Sequence, residues 1–335
     1  MPATITSIAH YLPPDVKDNS YFEKFLDTSD EWITKRTGIK TRHFLGEGGT
    51  STMLIPAAKE CIARRGIKPQ DLDCIIVSTV TPDYSFPITA VLVEKGLGLD
   101  NVWGFDMNAA CSSFVFALVT ACKLVESGAA RRILLCGGDK MTSIMNPLDK
   151  TQAVLFGDGA GAALIEMSDD PRCGLIDFDL SMETDGISHL RLEAGGSANP
   201  ASFQTVSNKM HYIYQEGQSV FKYAVKGMAD VAERLMIRNG LTPETMKWLI
   251  PHQANLRIIK ATADRMGLVG ENAHKVKVNI NKYANTTSAT IPICISELSQ
   301  ERQLEKGDNL IIASFGAGFT CGGIYFKWNS NGVLD

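Results

Sequence analysis

Short apolar runs alternate with longer segments of helical periodicity along the whole chain. The short runs predict strands at residues 74–79, 133–136, 162–166, 248–250, 309–314 and 322–327. Three longer segments, 111–127, 220–238 and 254–266, predict helices. Each is followed closely by a glycine, the residue that a left-handed helix stop favours. Strands that alternate with helices are typical of an α/β protein with buried sheets.

Part of this pattern occurs twice. Residues 156–165, FGDGAGAALI, are similar to 315–324, FGAGFTCGGI, and 72–77 are similar to 246–251. The separations of 159 and 174 residues are too long for a solenoid repeat. They fit a duplicated α/β half whose loops differ in length, and a coincidence between two glycine-rich turns is the alternative.

Composition and charge narrow the class of protein. The 335 residues carry 33 Lys and Arg against 37 Asp and Glu, so a bulk attraction to nucleic acid or to an anionic membrane is absent. We therefore predict neither as a partner. The amino terminus lacks the pattern of a secretory signal, and no apolar run approaches the roughly 20 residues of a membrane span.

The eight cysteines show neither C-x-x-C spacing nor a neighbouring histidine. They therefore indicate no metal site, and they favour a reducing cytoplasm.

One cysteine stands apart from the others by its surroundings. A strand-like segment at 102–107 leads through Asn108 and two alanines to Cys111, at the start of a predicted helix that is apolar on all sides. Free N–H groups and the positive end of the helix dipole favour the thiolate there. A small apolar packing role is the alternative for such a cysteine.

Two further segments carry candidate chemistry. His252 follows a predicted strand that ends at Pro251, and catalytic groups collect at the carboxyl ends of strands in α/β sheets. A hydrogen-bonded core histidine is the alternative. Asn285 lies in a loop of small hydroxyl residues, 283–292, where a helix N-cap is the alternative.

Together these segments resemble the thiolase-fold condensing enzymes, specifically the β-ketoacyl-acyl-carrier-protein synthase III family. The resemblance covers nearly the whole chain and includes DTSDEWI at 27–33, RTGI at 36–39, FGDGAG at 156–161, PHQANLRII at 251–259 and SFGAGFT at 314–320. It implies a thiolase-like, five-layer αβαβα fold made of two duplicated halves. We expect a half with the nucleophile at 1–170, a half with His and Asn at 171–335, and a homodimer.

The resemblance also implies a reaction. Cys111 takes the acyl group of a short acyl-CoA, and malonyl-acyl-carrier protein loses carbon dioxide to give the enolate that attacks the acyl-cysteine, which initiates fatty acid synthesis. His252 and Asn285 donate hydrogen bonds to the thioester oxygen as the enolate develops. Backbone N–H groups of Cys111, Gly316 and Ala317 form the oxyanion hole. Acyl-CoA is a substrate, and no metal or redox cofactor is implied.

Binding residues follow from the same resemblance. Those implied for CoA are Thr28, Trp32, Arg36, Lys150 and Asn255. Thr28 and Glu31 have the spacing of a capping box, which predicts a helix that ends at Gly38 and carries Trp32 and Arg36 on one face. An exposed aromatic–cation pair is the alternative. Lys150 stands where the family often has arginine and lacks its planar stacking surface.

The acyl pocket and a docking surface complete the implied site. Pocket residues are Phe86, Ser113, Phe156 and Phe315. Phe86 matches a residue that the partner subunit places at the pocket end, where a large side chain favours short acyl chains, and Ser113 replaces a common glycine. The acidic carrier protein is expected on a basic patch of Arg257, Lys222, Lys260 and Arg265. An ordinary solvated helix face is the alternative, and Asp264 weakens the patch.

Other readings of the motifs stay open. A ketosynthase or acyltransferase of secondary metabolism would use the same three residues, and a non-catalytic acyl-carrier-binding scaffold is the alternative from another class. The TCGG motif at 320–323 is similar to the second-cysteine region of thiolases, but Asn285 fits a Cys-His-Asn synthase better. Elongating ketosynthases need two histidines and hydroxymethylglutaryl-CoA synthase needs a glutamate, and neither requirement is met at matching positions.

Overall fold

The computed structural model describes residues 1–329. Thirteen strands lie within this range: β1 Ala3–Tyr11, β2 Asp15–Asp18, β3 Thr41–Phe44, β4 Cys74–Ser78, β5 Trp103–Met107, β6 Arg132–Asp139, β7 Gly159–Met167, β8 Gly174–Met182, β9 Leu190–Leu192, β10 Ile213–Gln215, β11 Trp248–Pro251, β12 Asn309–Gly316 and β13 Thr320–Lys327. Eleven α-helices lie in the same range: α1 Asn19–Glu23, α2 Asp30–Thr37, α3 Ser51–Arg65, α4 Thr89–Gly96, α5 Ser113–Glu126, α6 Lys150–Ala153, α7 Phe203–Ser207, α8 Gly217–Arg238, α9 Leu256–Arg265, α10 Ile280–Tyr283 and α11 Thr290–Gln300.

Two mixed sheets have the same topology. The first has the strand order β1-β7-β6-β4-β5, and the second has the order β8-β13-β12-β11. In both sheets the first two pairings are antiparallel and the next is parallel. A parallel bridge between Leu249 and Val276 occupies the place in the second sheet that β5 has in the first. The duplication predicted from the repeated motifs is therefore confirmed.

Five layers follow from where the apolar side chains are buried. Helices α5 and α11 are covered on both sides, because their side chains share one core with residues of both sheets. Helices α3 and α4 pack on the outer face of the first sheet, and α8 and α9 pack on the outer face of the second. This is the αβαβα arrangement that the sequence resemblance implied.

Several predicted boundaries were wrong by a few residues. The helix predicted from residue 111 begins at Ser113, because Ala110 has a φ of 51° and the chain makes a turn at Cys111 before the helix. The helix predicted from residue 254 begins at Leu256, after Asn255 caps it. Helix α2 is capped by the Ser29 side chain, so the predicted Thr28 capping box is wrong.

The end of α2 at Gly38 is as predicted. A φ of 82° and a close approach to Leu256 both require glycine at this position.

Residues 1–329 contain neither a helix suited to crossing a membrane nor a cluster of metal-binding side chains. No helix there combines the length and apolar character that a membrane crossing needs. No group of three or more His, Cys, Asp or Glu side chains there is arranged to hold a metal ion.

Candidate active site

A cavity of about 730 Å³ lies at the carboxyl ends of the parallel strands of both sheets. It brings together residues from every predicted motif: Trp32, Arg36, Cys111, Lys150, Phe156, His252, Asn255, Arg257, Asn285, Phe315 and Gly316. Arg36, Lys150 and Arg257 make the lining basic, and no Asp or Glu is among the residues that line the cavity. The cavity therefore suits an anionic ligand.

Cys111 lies on a turn between β5 and α5. The preceding residue, Ala110, is in the left-handed region, a strained conformation that places the cysteine at the cavity rather than in the helix. It is partly exposed, whereas the other seven cysteines are buried. Of the eight, it is the cysteine that a ligand in the cavity can reach.

The turn that carries Cys111 is fixed by the second half of the chain. Ser314 Oγ donates to the Cys111 carbonyl over 2.9 Å, and Thr320 Oγ1 donates to the Ala109 carbonyl over 2.8 Å. A Cβ at Gly316 would lie 2.8 Å from the Cys111 nitrogen, so only glycine allows this approach of the backbones. The Gly316 backbone therefore lies against the backbone nitrogens of Cys111 and Ser112.

His252 directly continues β11. Its backbone N–H donates to the Ala313 carbonyl over 2.8 Å, which extends the pairing of β11 with β12. Nδ1 lies 2.7 Å from Thr290 Oγ1, and within residues 1–329 no side-chain or backbone partner contacts Nε2. The ring is buried in the cavity wall, and its free nitrogen is available to a ligand.

Asn285 is held on both its backbone and its side chain. Its N–H donates to the Leu155 carbonyl, its carbonyl accepts from Gly157 N–H, and its Oδ1 accepts from Thr287 N–H over 2.8 Å. The backbone is strained on either side, with positive φ values at Ala284 and Thr287. These contacts leave the Nδ2 donor for a ligand.

Burial sets the resting protonation of the site. It raises the pKa of the Cys111 thiol to about 12, to which the nearby Asp139 carboxylate contributes, and it lowers the pKa of His252 to about 3. The thiolate expected from the helix dipole is therefore not the resting form, because Cys111 precedes the helix and is desolvated. The pair is a neutral thiol and a neutral imidazole.

The indole of Trp32 marks one end of the cavity. The Arg36 guanidinium lies 4.7 Å and Lys150 Nζ 5.5 Å from its ring centre. Lys150 Nζ also donates to the Asp27 carbonyl over 2.9 Å. Asn255 caps α9 and donates to the Arg36 carbonyl over 3.1 Å, so its side chain joins α9 to α2.

Four of the predicted site residues, Ser113, Thr28, Ala317 and Phe86, are not among those that line the cavity. Ser113 is fully buried, and its hydroxyl accepts from Ala109 N–H over 2.6 Å, so it fixes the turn that carries Cys111. Thr28, which was predicted to bind CoA, has a buried hydroxyl without a partner in residues 1–329. Ala317, which was predicted for the oxyanion hole, follows Gly316, a residue that lines the cavity. Phe86 is 87% exposed in the single chain.

The predicted docking residues differ in their surroundings. Arg257 lines the cavity and lies over the Phe221 ring, 4.9 Å from its centre. Lys222 and Lys260 are exposed on α8 and α9. Arg265 is instead bound to Asp230 and Glu233, which neutralise it.

Two residues around the site had no signal in the sequence. Asp139, at the end of β6, is fully buried and accepts hydrogen bonds from Thr287 and Ser288 of the Asn285 loop. Thr290, at the start of α11, contacts His252. Each acts through a contact between segments that are far apart in the chain.

Comparison with known proteins gives a consistent family. The family model described as 3-oxoacyl-acyl-carrier-protein (ACP) synthase III matches residues 105–186, and its C-terminal model matches residues 236–328. The chain is 49% identical over 331 residues to the β-ketoacyl-acyl-carrier-protein synthase III of Chlorobaculum tepidum, covering 98% of this chain and 100% of that protein.

Solved structures agree with this result. The crystal structure of 3-oxoacyl-acyl-carrier-protein synthase III from Aquifex aeolicus matches with a TM-score of 0.89 and 36% identity, covering 97% of this chain and 100% of that one. The priming β-ketosynthase of the R1128 polyketide biosynthetic pathway matches with a TM-score of 0.89 and 30% identity, covering 98% and 97%.

Proposed function

The chain belongs to the β-ketoacyl-acyl-carrier-protein synthase III family, and we propose that Cys111, His252 and Asn285 carry out the condensation in it. The protein is a condensing acyltransferase that joins a short acyl-CoA to malonyl-acyl-carrier protein at the start of fatty acid synthesis. The observation that carries the residue assignment is that these three side chains line one cavity with a basic lining.

In the first half-reaction, the Cys111 sulfur bonds to the acyl carbon and the bond to the CoA sulfur breaks. The thiol proton passes to the departing CoA sulfur. Backbone N–H groups of Cys111, Gly316 and Ala317 stabilise the negative oxygen of the tetrahedral intermediate. The close approach of Gly316 to the Cys111 nitrogen supports this assignment.

In the second half-reaction, the malonyl group loses carbon dioxide and its α-carbon bonds to the acyl carbon on Cys111. Asn285 Nδ2 and His252 Nε2 are the donors for the thioester oxygen, which becomes negative in the enolate. The Cys111 sulfur leaves and takes up one proton. Donors that carry no negative charge suit this step, because a buried carboxylate beside the enolate would repel it.

Ligand binding is proposed on both sides of this centre. Trp32, Arg36 and Lys150 receive the CoA nucleotide, with Thr28 and Asn255 behind them, and Phe156 and Phe315 border the acyl group. The acidic carrier protein docks on Arg257, Lys222 and Lys260. Arg265, although it was predicted for the same surface, offers no free charge because it is paired.

We also propose that the protein is a cytoplasmic homodimer, with halves that divide near residue 170. Within residues 1–329, β5 pairs with β4 on one side and has no strand on the other, and Trp103 on it is 45% exposed, which favours pairing with a second copy. The exposed Phe86 would then be available to the partner's acyl pocket. Eight unpaired cysteines support a reducing compartment.

Mass spectrometry of the intact protein after incubation with acetyl-CoA tests the assignment. One acetyl group should appear on Cys111 and be absent in Cys111→Ala, while the buried-cysteine control Cys122→Ala should acetylate normally. His252→Ala and Asn285→Ala should both strongly slow carbon dioxide release from malonyl-carrier protein.

The alternatives give different results in these assays. An unmodified wild-type protein would favour the non-catalytic scaffold, and normal carbon dioxide release in both His252→Ala and Asn285→Ala would contradict the enolate assignment. A panel of acyl-CoA primers would separate fatty acid initiation from a role in secondary metabolism.

A further inference from the structure

The hydroxyl of Thr290 has two close neighbours that compete for its single proton. Oγ1 lies 2.9 Å from the Thr287 carbonyl oxygen and 2.7 Å from His252 Nδ1. All three residues are buried, with exposed fractions of 2% or less, so water does not replace either contact.

Only one proton arrangement makes both contacts hydrogen bonds. A carbonyl oxygen can only accept, so the 2.9 Å contact requires the hydroxyl to donate to Thr287. Thr290 Oγ1 must then accept from His252, which places the imidazole proton on Nδ1. In the opposite arrangement, two oxygen lone pairs would face each other at 2.9 Å with no proton between them.

We propose that Thr290 is a positioning residue that keeps the proton of the resting His252 ring on Nδ1, so that Nε2 is a proton acceptor in the cavity that Cys111 also lines. The proposal rests on the proposed function, in which Cys111 must lose its proton. Burial keeps the ring neutral, so the position of its one proton decides whether Nε2 accepts or donates.

The acceptor form of Nε2 gives acylation a balanced proton path. As the Cys111 sulfur bonds to the acyl carbon, the thiol proton moves to Nε2, and it moves on to the CoA sulfur when that bond breaks. The ring returns to its Nδ1–H form. A desolvated neutral thiol needs such an acceptor, because its own pKa is far above neutral.

Condensation uses the same nitrogen in its protonated form. The reaction consumes one proton from solvent, since the Cys111 thiolate must be reprotonated after the new carbon–carbon bond forms. We assign this proton to Nε2 while the anionic malonyl group is bound. It donates to the enolate oxygen first and passes to the Cys111 sulfur at the end, while Thr290 accepts from Nδ1 throughout.

Removal of the hydroxyl should affect the two half-reactions differently. In Thr290→Val, a proton on Nδ1 would be a buried donor without an acceptor, so the ring should move its proton to Nε2. Acylation by acetyl-CoA should then fall by about 10²-fold, the usual contribution of a general base. Carbon dioxide release from enzyme that is already acylated should fall by much less, because Nε2–H is the donor that this step needs.

Two further variants separate this role from simple packing. Thr290→Ser keeps the hydroxyl and should restore acylation to near the wild-type rate. Thr262→Val is the matched control, because Thr262 is also fully buried and its hydroxyl donates to a backbone carbonyl, that of Ile258, over 3.1 Å. It should leave both half-reactions unchanged. Equal losses in the two half-reactions of Thr290→Val, or no rescue by serine, would overturn the proposal.

Nitrogen NMR of histidine-labelled wild-type protein at pH 7 tests the resting state directly. His252→Ala identifies the signals of this ring among the six histidines. A protonated Nδ1 with a bare Nε2 is expected, and a protonated Nε2 would overturn the proposal even if Thr290→Val failed to fold. Wild-type protein that acquires no acyl group on Cys111 would instead refute the proposed function, so the two failures are distinguishable.

Discussion

Asp139 is a buried carboxylate that joins the two halves of the chain near Cys111. It is fully buried, and its hydrogen-bond donors within residues 1–329 carry no charge. Its donors are hydroxyl and backbone N–H groups of two loops: Thr79, Val80 and Thr81 on Oδ1, and Thr287 and Ser288 on Oδ2. Asp139→Asn removes the charge while keeping the size of the side chain.

The loss of stability in Asp139→Asn depends on which of the groups that donate to Asp139 can rotate and accept a hydrogen bond instead. The new amide NH2 is best accommodated beside Thr287 and Ser288, because their hydroxyls can rotate to accept from it. Only the Ser288 backbone N–H, 3.1 Å away, then loses its acceptor. The other orientation would remove the acceptor of the Val80 N–H, at 2.7 Å, and leave the Thr81 N–H with Thr79 Oγ1 alone. With the weaker bonds of an uncharged acceptor, we expect the free energy of unfolding to fall by about 2–4 kcal/mol.

The same change should make Cys111 more acidic. Burial is the main cause of its raised pKa, and the negative charge of Asp139 is the second. Asp139→Asn should therefore lower the pKa of the thiol below about 12. The variant should be less stable and yet have a Cys111 thiol that ionises more easily.

Urea unfolding and the pH dependence of alkylation measure the two effects. Iodoacetamide labelling, followed by intact mass, should report Cys111 alone because the other seven cysteines are buried, and Cys111→Ala supplies the background. The alkylation midpoint, rather than the rate, is compared, since looser packing changes access but not the midpoint. An unchanged or higher midpoint would refute the electrostatic reasoning, and unchanged stability would refute the hydrogen-bond estimate.

Three further predictions concern two basic residues of the cavity lining, Arg257 and Lys150, and the buried imidazole of His252. Arg257→Glu should raise the apparent KM for malonyl-carrier protein, most strongly at low salt, and should change acylation by acyl-CoA much less. The control Lys59→Glu, at an exposed position on α3, should change neither. Equal damage to both half-reactions would exclude the docking role. Lys150→Arg should bind CoA about two- to fivefold more tightly, as measured by calorimetry, because a guanidinium adds a planar cation–π surface worth about 0.5–1 kcal/mol. Weaker binding would count against stacking of the nucleotide at position 150. Burial lowers the pKa of His252 from 6.5 to about 3, so between these pH values the unfolded chain binds one more proton than the folded chain. The free energy of unfolding should therefore fall as the pH is lowered from 6.5 to about 3, by up to about 1.4 kcal/mol per pH unit. His252→Gln should flatten that slope in urea titrations, and an unaltered slope would show that the ring is not held neutral.

Local sequence was sufficient to mark three candidate side chains that the structure brings to one cavity. Cys111 follows a strand, His252 follows another, and Asn285 lies in a loop of small hydroxyl residues, so each was marked by its neighbours. Parallel strands place their carboxyl ends at one edge of a sheet, and the repeated motifs indicated that two equivalent sheets would contribute. The cavity that these residues line follows from this arrangement.

The protonation of the Cys111 thiol could not be predicted in the same way. The helix dipole argument assumed that Cys111 begins the helix, but Ala110 has a left-handed conformation that alanine rarely adopts, and the helix begins two residues after the cysteine. Burial of the thiol depends on the packing of both halves around it. Neither property has a local sequence signal, so the expected thiolate was wrong.

The residues that sequence reasoning missed all act across the boundary between the halves. Asp139 ends β6 of the first sheet, and it holds the Thr287–Ser288 segment, which belongs to the second half and carries Asn285 and Thr290 beside it. In the opposite direction, Ser314 of the second sheet holds the carbonyl of Cys111. Each half therefore holds a segment of the other that carries a proposed catalytic group, and the hydrogen bonds that join the halves are the same ones that fix the geometry of the candidate site. Substitutions at this junction should consequently alter stability and catalysis together, whereas substitutions in the outer helices α3 and α4 should alter stability alone.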